Sequence, residues 1–289
     1  MSTPADTLWT IQKILTWTSQ YFEEKGLDSP RLDAELLLAH ALHFDRTRLY
    51  IELNKPLQEA ERARIRELVK RRACREPVSQ IIGRRGFWKS EFKVTRDVLT
   101  PRPDTERLIE RAIEIMRDKP HGQIVDVGTG SGCVAISLAL DLPQCEVLAI
   151  ERSIAALAVA QENGARLAPG QVQWLQGDLL GPIRKPVELI VSNPPYIPSD
   201  HIGGLMPEVS QFEPREALDG GPRGLEIVQR LVEQASSALK PQGLILLEMG
   251  HDQGEAVRDI LSRQGVFQSI RIHQDYGGRD RVIEAQYVP

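Results

Sequence analysis

Cysteine is scarce in this chain. The three present, Cys74, Cys133 and Cys145, are odd in number, far apart and free of any C-x-x-C pair. That excludes a disulfide framework and a cysteine-built zinc site, and no metal is expected; the pattern is that of reduced thiols in a cytosolic protein. No apolar run approaches the ~18 residues of a membrane span. The opening stretch "MSTPADTLWT" has neither a basic start nor an apolar core, so it does not read as a signal peptide. An excess of positive charge is also missing. The formal net charge is −4, which argues against a chain made to hold nucleic acid through a basic surface but leaves room for a local basic patch. There is no internal repeat and no low-complexity segment. What remains is a soluble, cytoplasmic globular protein. Its 289 residues, 41% hydrophobic and 26% charged, suffice for about two domains with a large core.

Residues 1–76 read as helical. "PADTLWTIQKILTWTSQYFEEKG" sets Leu8, Ile11, Leu15 and Phe22 on one face, with Gly26 as a stop. "DSPRLDAELLLAHAL" follows, with Ser29 as N-cap and Pro30 at the first helical position. A third helix covers "QEAERARIRELVKRRACRE". From 61 to 75 it carries Arg62, Arg64, Arg66, Lys70, Arg71, Arg72 and Arg75 against Glu61 and Glu67. This is either a solvated helix face or a docking surface for an acidic or RNA-bound partner. Residues 77–100, with the alternation of "GFWKSEFKV", predict a β-hairpin connector. The rest, 101–289, begins with "TPRPDTERLIERAIEIM", two prolines before a helix.

From about residue 121 the rhythm is strand, turn, helix. Strands are expected at 123–127, 145–150, 172–176, 187–192, 244–248, 268–273 and 281–287, with helices at 133–141, 153–166, 224–239 and 252–264. Alternating β and α elements imply an α/β fold: a Rossmann-like, seven-stranded, mainly parallel sheet covered on both faces. The last two strands follow one another without a helix, so an antiparallel strand is expected at the sheet's end.

"IVDVGTGSGCVAISLAL" is a buried strand, a glycine-rich turn and a helix. Gly128, Gly130 and Gly132, with Thr129 and Ser131 between them, let the backbone bend and approach a ligand closely. Asp126 sits at the strand end just before them. Glu151 ends the second strand, where an acid can accept from both hydroxyls of a ribose. Asp178 ends the third βα unit, where it can hold an adenine amino group. All lie at the carboxyl ends of parallel strands, the ligand-binding edge of such a sheet. "GTGSG" is not G-x-G-x-x-G, and its spacing suits S-adenosylmethionine better than a dinucleotide.

"VSNPPYIP" closes the fourth strand at the same edge. Pro195 lacks a backbone donor and fixes its own φ, and it pushes Pro194 into an extended conformation. The Pro194 carbonyl is therefore a fixed acceptor, and the Asn193 side-chain oxygen is a second. Two fixed acceptors suit a planar NH₂ group. Its nitrogen is a poor nucleophile, and holding both N–H groups orients it and favours the polarisation that develops during attack on a sulfonium methyl. Tyr196 can pack its ring on the flat target. No strong base is needed if the proton leaves after transfer.

"NPPY" with "DVGTGSG" resembles the class I S-adenosylmethionine methyltransferases that modify amide or exocyclic amino nitrogens. "PRPDTE" (101–106), "FEPREALDGGPRGLEI" (212–227), "LLEMGHDQGEAV" (247–257) and "DYGGRDRV" (275–282) narrow the likeness to the peptide chain release factor N5-glutamine methyltransferases, over essentially the whole chain. The resemblance implies that the substrate is the glutamine of the Gly-Gly-Gln motif in class 1 release factors, with S-adenosyl-L-methionine as methyl donor and S-adenosyl-L-homocysteine as product. It implies that residues 128 to 132 and Glu151 hold the methionine and ribose parts, that Asp178 and Leu179 lie beside the adenine, and that Asn193, Pro194, Pro195 and Tyr196 grip the amide. Arg102 would sit near the cofactor's carboxylate. Glu151 stands where aspartate is more usual, and Leu179 where some relatives carry an aromatic ring. The implied enzyme is a monomer that takes neither membrane nor nucleic acid as substrate, with the N-terminal helical domain recognising the protein partner. A nucleic-acid amino methyltransferase would share "NPPY" but should bring a basic target-recognition region. A non-catalytic adaptor would not need to keep both motifs.

Overall fold

The computed structural model describes residues 8–289, so the opening stretch of the first expected helix lies outside the described residues. The chain divides into two compact units between Gly83 and Arg84.

The first unit is helical: α1 (Ile11–Glu24), α2 (Pro30–Leu42), α3 (Arg46–Ile51), α4 (Glu59–Ala73) and α5 (Val78–Ile82). Its core joins Ile11, Leu15 and Phe22 of α1 to Leu37 and Leu38 of α2 and to Ile65 and Val69 of α4. Leu8, expected on that face, is exposed. The helix starts later, where the Thr10 hydroxyl accepts from the Lys13 amide. Pro30 opens α2 as expected, but the Ser29 side chain makes no capping bond. The stretch expected as a connector from residue 77 begins as α5, whose Ile81 joins the helical core. Much of the basic charge on α4 is answered within the unit: Arg62 pairs with Glu59, Lys70 with Glu67, Arg71 with Glu76 and buried Arg72 with Asp33.

The second unit opens with the hairpin β1 (Arg84–Phe87) and β2 (Ser90–Lys93), then α6 (Glu106–Met116), β3 (Gln123–Val127), α7 (Cys133–Asp141), β4 (Glu146–Glu151), α8 (Ile154–Leu167), β5 (Val172–Gln176) and β6 (Val187–Ser192). A long segment containing the short α9 (Pro207–Ser210) leads to α10 (Glu226–Ala238), β7 (Leu239–Glu248), α11 (Gly254–Arg263), β8 (Phe267–Gln274) and β9 (Asp280–Tyr287). The seven-stranded sheet has the order β5-β4-β3-β6-β7-β9-β8. β9 runs antiparallel to both its neighbours and the other pairs are parallel. The antiparallel strand therefore lies one place in from the edge. Val282, Ile283 and Ala285 bury it there, while the largely exposed β8 takes the rim. One face of the sheet packs on α6 and α7 through Leu108, Ile109, Ile136 and Leu138, and the other on α10 and α11 through Val228, Leu231, Val257 and Leu261.

The chain leaves β3 toward β4 and β5 on one side, then returns to β6 on the other. The carboxyl ends of β3 and β6 thus flank the crevice where such sheets take their ligands. The glycine-rich turn leaves the first of these ends and Asn193 leaves the second.

Candidate active site

Gly128, Gly130 and Gly132 have φ of 73°, 55° and 80°, left-handed conformations that L side chains rarely adopt. A Cβ on Gly130 would meet nothing within 4 Å, whereas one on Gly132 would stand 3.1 Å from both Ile136 and Trp174. The middle of the turn therefore faces open space and its end packs on helix and sheet. Asp126, 1% exposed, sits beneath the turn. Its Oδ2 accepts from the Thr129 hydroxyl at 2.6 Å and from the Ala135 amide at 3.2 Å. Burial pushes its pKa up to about 7 against the pull of those two bonds. Asn163 of α8, fully buried, donates to the Ser131 carbonyl at 2.9 Å and exchanges hydrogen bonds with the backbone of Lys93 on β2. Glu151 completes the turn: Oε2 accepts from the Gly130 amide and Oε1 from the Ser153 amide, both at 2.9 Å.

A cavity of about 540 Å³ opens beside the turn. Every site residue expected from sequence lines it except Gly132 and Tyr196. Asp178 lines it while pairing with Arg230, and Leu179 adopts a left-handed φ of 50°. Arg102 also lines it, but its guanidinium is held at 2.6 Å by Glu213, whose side chain is buried. The volume is that of a small-molecule site. The open space over Gly130 lets a ligand touch the backbone, and each Glu151 oxygen, already accepting one amide, has a second lone pair for a ribose hydroxyl. The residues present fit an adenosyl ligand.

The segment from Asn193 to Pro198 forms a lip over this cavity, and contacts that sequence reasoning did not assign hold it. The Asn193 Nδ2 donates to the Thr105 hydroxyl at 3.1 Å, so its Oδ1 is turned away from that contact. Gln253 donates to the Tyr196 carbonyl at 2.8 Å. Ile197 exchanges backbone bonds with Leu218 and Gly220. Gly224 lies so close that a Cβ would stand 2.4 Å from the Tyr196 carbonyl. Tyr196 is not among the residues lining the cavity; the charges of Glu248 and Arg281 act on its phenol, and burial pushes its pKa up to about 12. Arg281 reaches Asp104 and Asp275. The stretches "PRPDTE", "FEPREALDGGPRGLEI", "LLEMGHDQGEAV" and "DYGGRDRV" thus converge on the lip. Their residue types alone carry no spacing signal that shows it.

The family model described as the PrmC N-terminal domain matches residues 13–83, and that of the methyltransferase small domain matches residues 108–203. The release factor glutamine methyltransferase of Geobacter sulfurreducens is 44% identical over 278 residues, which is 96% of each chain. The chain belongs to the release factor glutamine methyltransferase family. Another member, from Vibrio cholerae, is 39% identical over 283 residues, 96% of this chain and 97% of that one. Among solved structures, the hMettl16 catalytic domain in complex with a MAT2A 3'UTR hairpin is 16% identical, covers 68% of this chain and 74% of that one, and superposes with a TM-score of 0.56. That likeness is one of fold. As a member of this methyltransferase family the chain is an enzyme, and the cavity between glycine turn and lip is its candidate active site.

Proposed function

We propose that the enzyme transfers a methyl group from S-adenosyl-L-methionine to the N5 side-chain amide of the glutamine in the Gly-Gly-Gln motif of class 1 peptide chain release factors. The observation that carries this reading is the meeting of the Asn193-Pro194-Pro195 lip and the Glu151-braced glycine turn in one cavity. In this reading Gly128 to Gly132, Glu151, Asp178 and Leu179 bind the donor, which supplies an activated sulfonium methyl and leaves as S-adenosyl-L-homocysteine. The Asn193 Oδ1 and the Pro194 carbonyl accept the two N–H groups of the glutamine amide. Both acceptors are fixed before the substrate arrives, so little entropy is lost in aligning the nitrogen. They also stabilise the positive charge that grows on it during attack. The proton departs after transfer, with no strong base required. Tyr196 acts from behind the lip.

The N-terminal helical unit is assigned to partner recognition, because a loop presenting only Gly-Gly-Gln offers few contacts for specificity. The enzyme works as a cytoplasmic monomer, with neither nucleic acid nor membrane as its substrate. Mass spectrometry of a release factor incubated with the enzyme and methyl-labelled donor should find one added methyl on that glutamine. A label elsewhere, or none, defeats the assignment. In the same assay, removing residues 1–83 should raise KM for the folded factor far more than for a short Gly-Gly-Gln peptide.

A further inference from the structure

Asn163 of α8 is fully buried, and both its amide hydrogens and both acceptor positions of its oxygen are taken. Nδ2 donates to the Ser131 carbonyl at 2.9 Å and to the Lys93 carbonyl at 3.1 Å. Oδ1 accepts from the Lys93 amide at 2.8 Å and from Arg166 at 3.2 Å. Two carbonyls at one end and two donors at the other fix which way the amide faces. The helix that carries it is seated closely. A Cβ on Gly164 would stand 2.4 Å from Trp174, and one on Gly132 would stand 3.1 Å from the same ring. A single side-chain amide therefore ties β2 to the glycine-rich turn.

The turn needs such a tie. Its glycines at 128, 130 and 132 leave the backbone many conformations, and fixing them costs entropy. The amides of Gly128 and Thr129 donate to the Ile150 carbonyl, that of Gly130 to Glu151 and that of Gly132 to the Thr129 carbonyl. The Ser131 amide has no partner among the described residues, although Ser131 is 2% exposed and lines the cavity. An unpaired buried amide is rare, and at a cavity wall it suits an acceptor on a ligand. The peptide that joins Gly130 to Ser131 is anchored on both sides, by Glu151 at the Gly130 amide and by Asn163 at the Ser131 carbonyl. We propose that Asn163 is a positioning residue for the methyl donor: by holding the Ser131 carbonyl, it sets the unpaired Ser131 amide in place before the ligand arrives. A turn fixed in advance loses less freedom on binding. The assignment rests on the reading that the glycine turn binds the adenosyl donor.

The test compares the full-length wild-type enzyme with Asn163→Asp, Arg166→Gln and Glu151→Ala. For each, the dissociation constant for S-adenosylhomocysteine is measured by calorimetry, and kcat and both KM values are measured with a release factor as acceptor. Asn163→Asp keeps the shape and the acceptor contacts but turns an oxygen onto the Ser131 carbonyl. It should weaken ligand binding and raise KM for S-adenosylmethionine about tenfold or more, the worth of one lost buried hydrogen bond. At saturating donor its kcat, and its KM for the release factor, should stay within about threefold of wild type. Arg166→Gln breaks an exposed contact to the same amide and leaves the contact to the turn, so ligand affinity should stay within about threefold. A fall in kcat at unchanged donor KM, which loss of folded enzyme alone would give, overturns the proposal. So does equal weakening by Arg166→Gln, or wild-type ligand affinity in Asn163→Asp. If Asn163→Asp does not fold, Asn163→Ser, whose single hydroxyl hydrogen cannot serve both carbonyls, decides by the same criteria. Glu151→Ala separates the two layers. Should it and Asn163→Asp both bind the ligand as wild type does, the reading of the turn as the donor site falls, and this inference with it. Should Glu151→Ala alone be weakened, only the role of Asn163 is lost.

Discussion

Glu151 holds two backbone amides at once, one in the glycine turn and one at the start of α8. A single carboxylate therefore shapes the turn and still has lone pairs toward the cavity. Hydrogen bonds to a charged group are worth about 1.5–3 kcal/mol, so Glu151→Ala should weaken donor binding by about ten- to a hundredfold. Calorimetric titration with S-adenosylhomocysteine measures this, and an unchanged affinity would remove Glu151 from the binding site. Asp178 offers a contrast. Its ion pair with Arg230 is roughly half-exposed on both sides, and such pairs contribute little. In the proposed reaction its part is what it presents to the cavity, which it lines. That Glu151 and Asp178 would come to the same edge as the glycine turn was legible in sequence, because all three sit at strand ends in an α/β rhythm, and both acids line the cavity. Thr105 was not, because its contact with Asn193 arises from packing between positions 88 residues apart in sequence.

At the level of elements, the strand, turn and helix order of the second unit was readable, since buried parallel strands show as short apolar runs between helical periods. The missed pieces have physical reasons. α3 and α5 have six and five residues, too few to display a period. β7 begins at Leu239, five residues before its apolar run, because the ladder slips between the Val187 and Leu189 pairings and Pro241 and Gly243 interrupt the pattern. β9 was expected at the sheet's end, but interior position follows burial rather than chain order. In the proposed reaction the lip holds the methyl acceptor, and Gly224 packs tightly against it. Its φ is 72°, and a methyl group there would collide with the Tyr196 carbonyl at 2.4 Å. Gly224→Ala should therefore displace the lip at a cost of about 1–3 kcal/mol. The expected result is a fall in kcat with donor affinity nearly kept. A variant with wild-type kcat would show that the lip tolerates movement and that its rigidity is not part of the mechanism.

Across the whole second unit, buried carboxyls act on stability in opposite directions. Glu284 of β9 would be raised by burial, but hydrogen bonds from His273 and Arg111 outweigh that and bring its pKa down to about 2. Because the folded value is below the ordinary 4.5, the added stability is present above 4.5 and lost as pH falls toward 2. Asp126 and Glu248, both raised to about 7, do the reverse: they favour the fold most when protonated and give that up as pH rises through 7. In urea unfolding, Glu284→Gln should flatten the drop in stability between pH 4.5 and 2, and an unaltered acid limb would show that the Arg111 and His273 contacts do not help hold β9 to α6 and β8. Asp126 lines the cavity, whereas Glu284 is not among the lining residues.

In the proposed reaction Asn193 acts on the methyl acceptor rather than on the donor or the fold. Asn193→Ala, assayed by single-turnover methylation of a release factor beside titration with S-adenosylhomocysteine, separates these roles directly. The expected outcome is loss of methyl transfer by about a hundredfold or more, the scale seen when a donor or acceptor aimed at developing charge is removed, with ligand affinity within about tenfold of wild type. Methyl transfer that survives the substitution, or that fails only because the adenosyl ligand no longer binds, would contradict it.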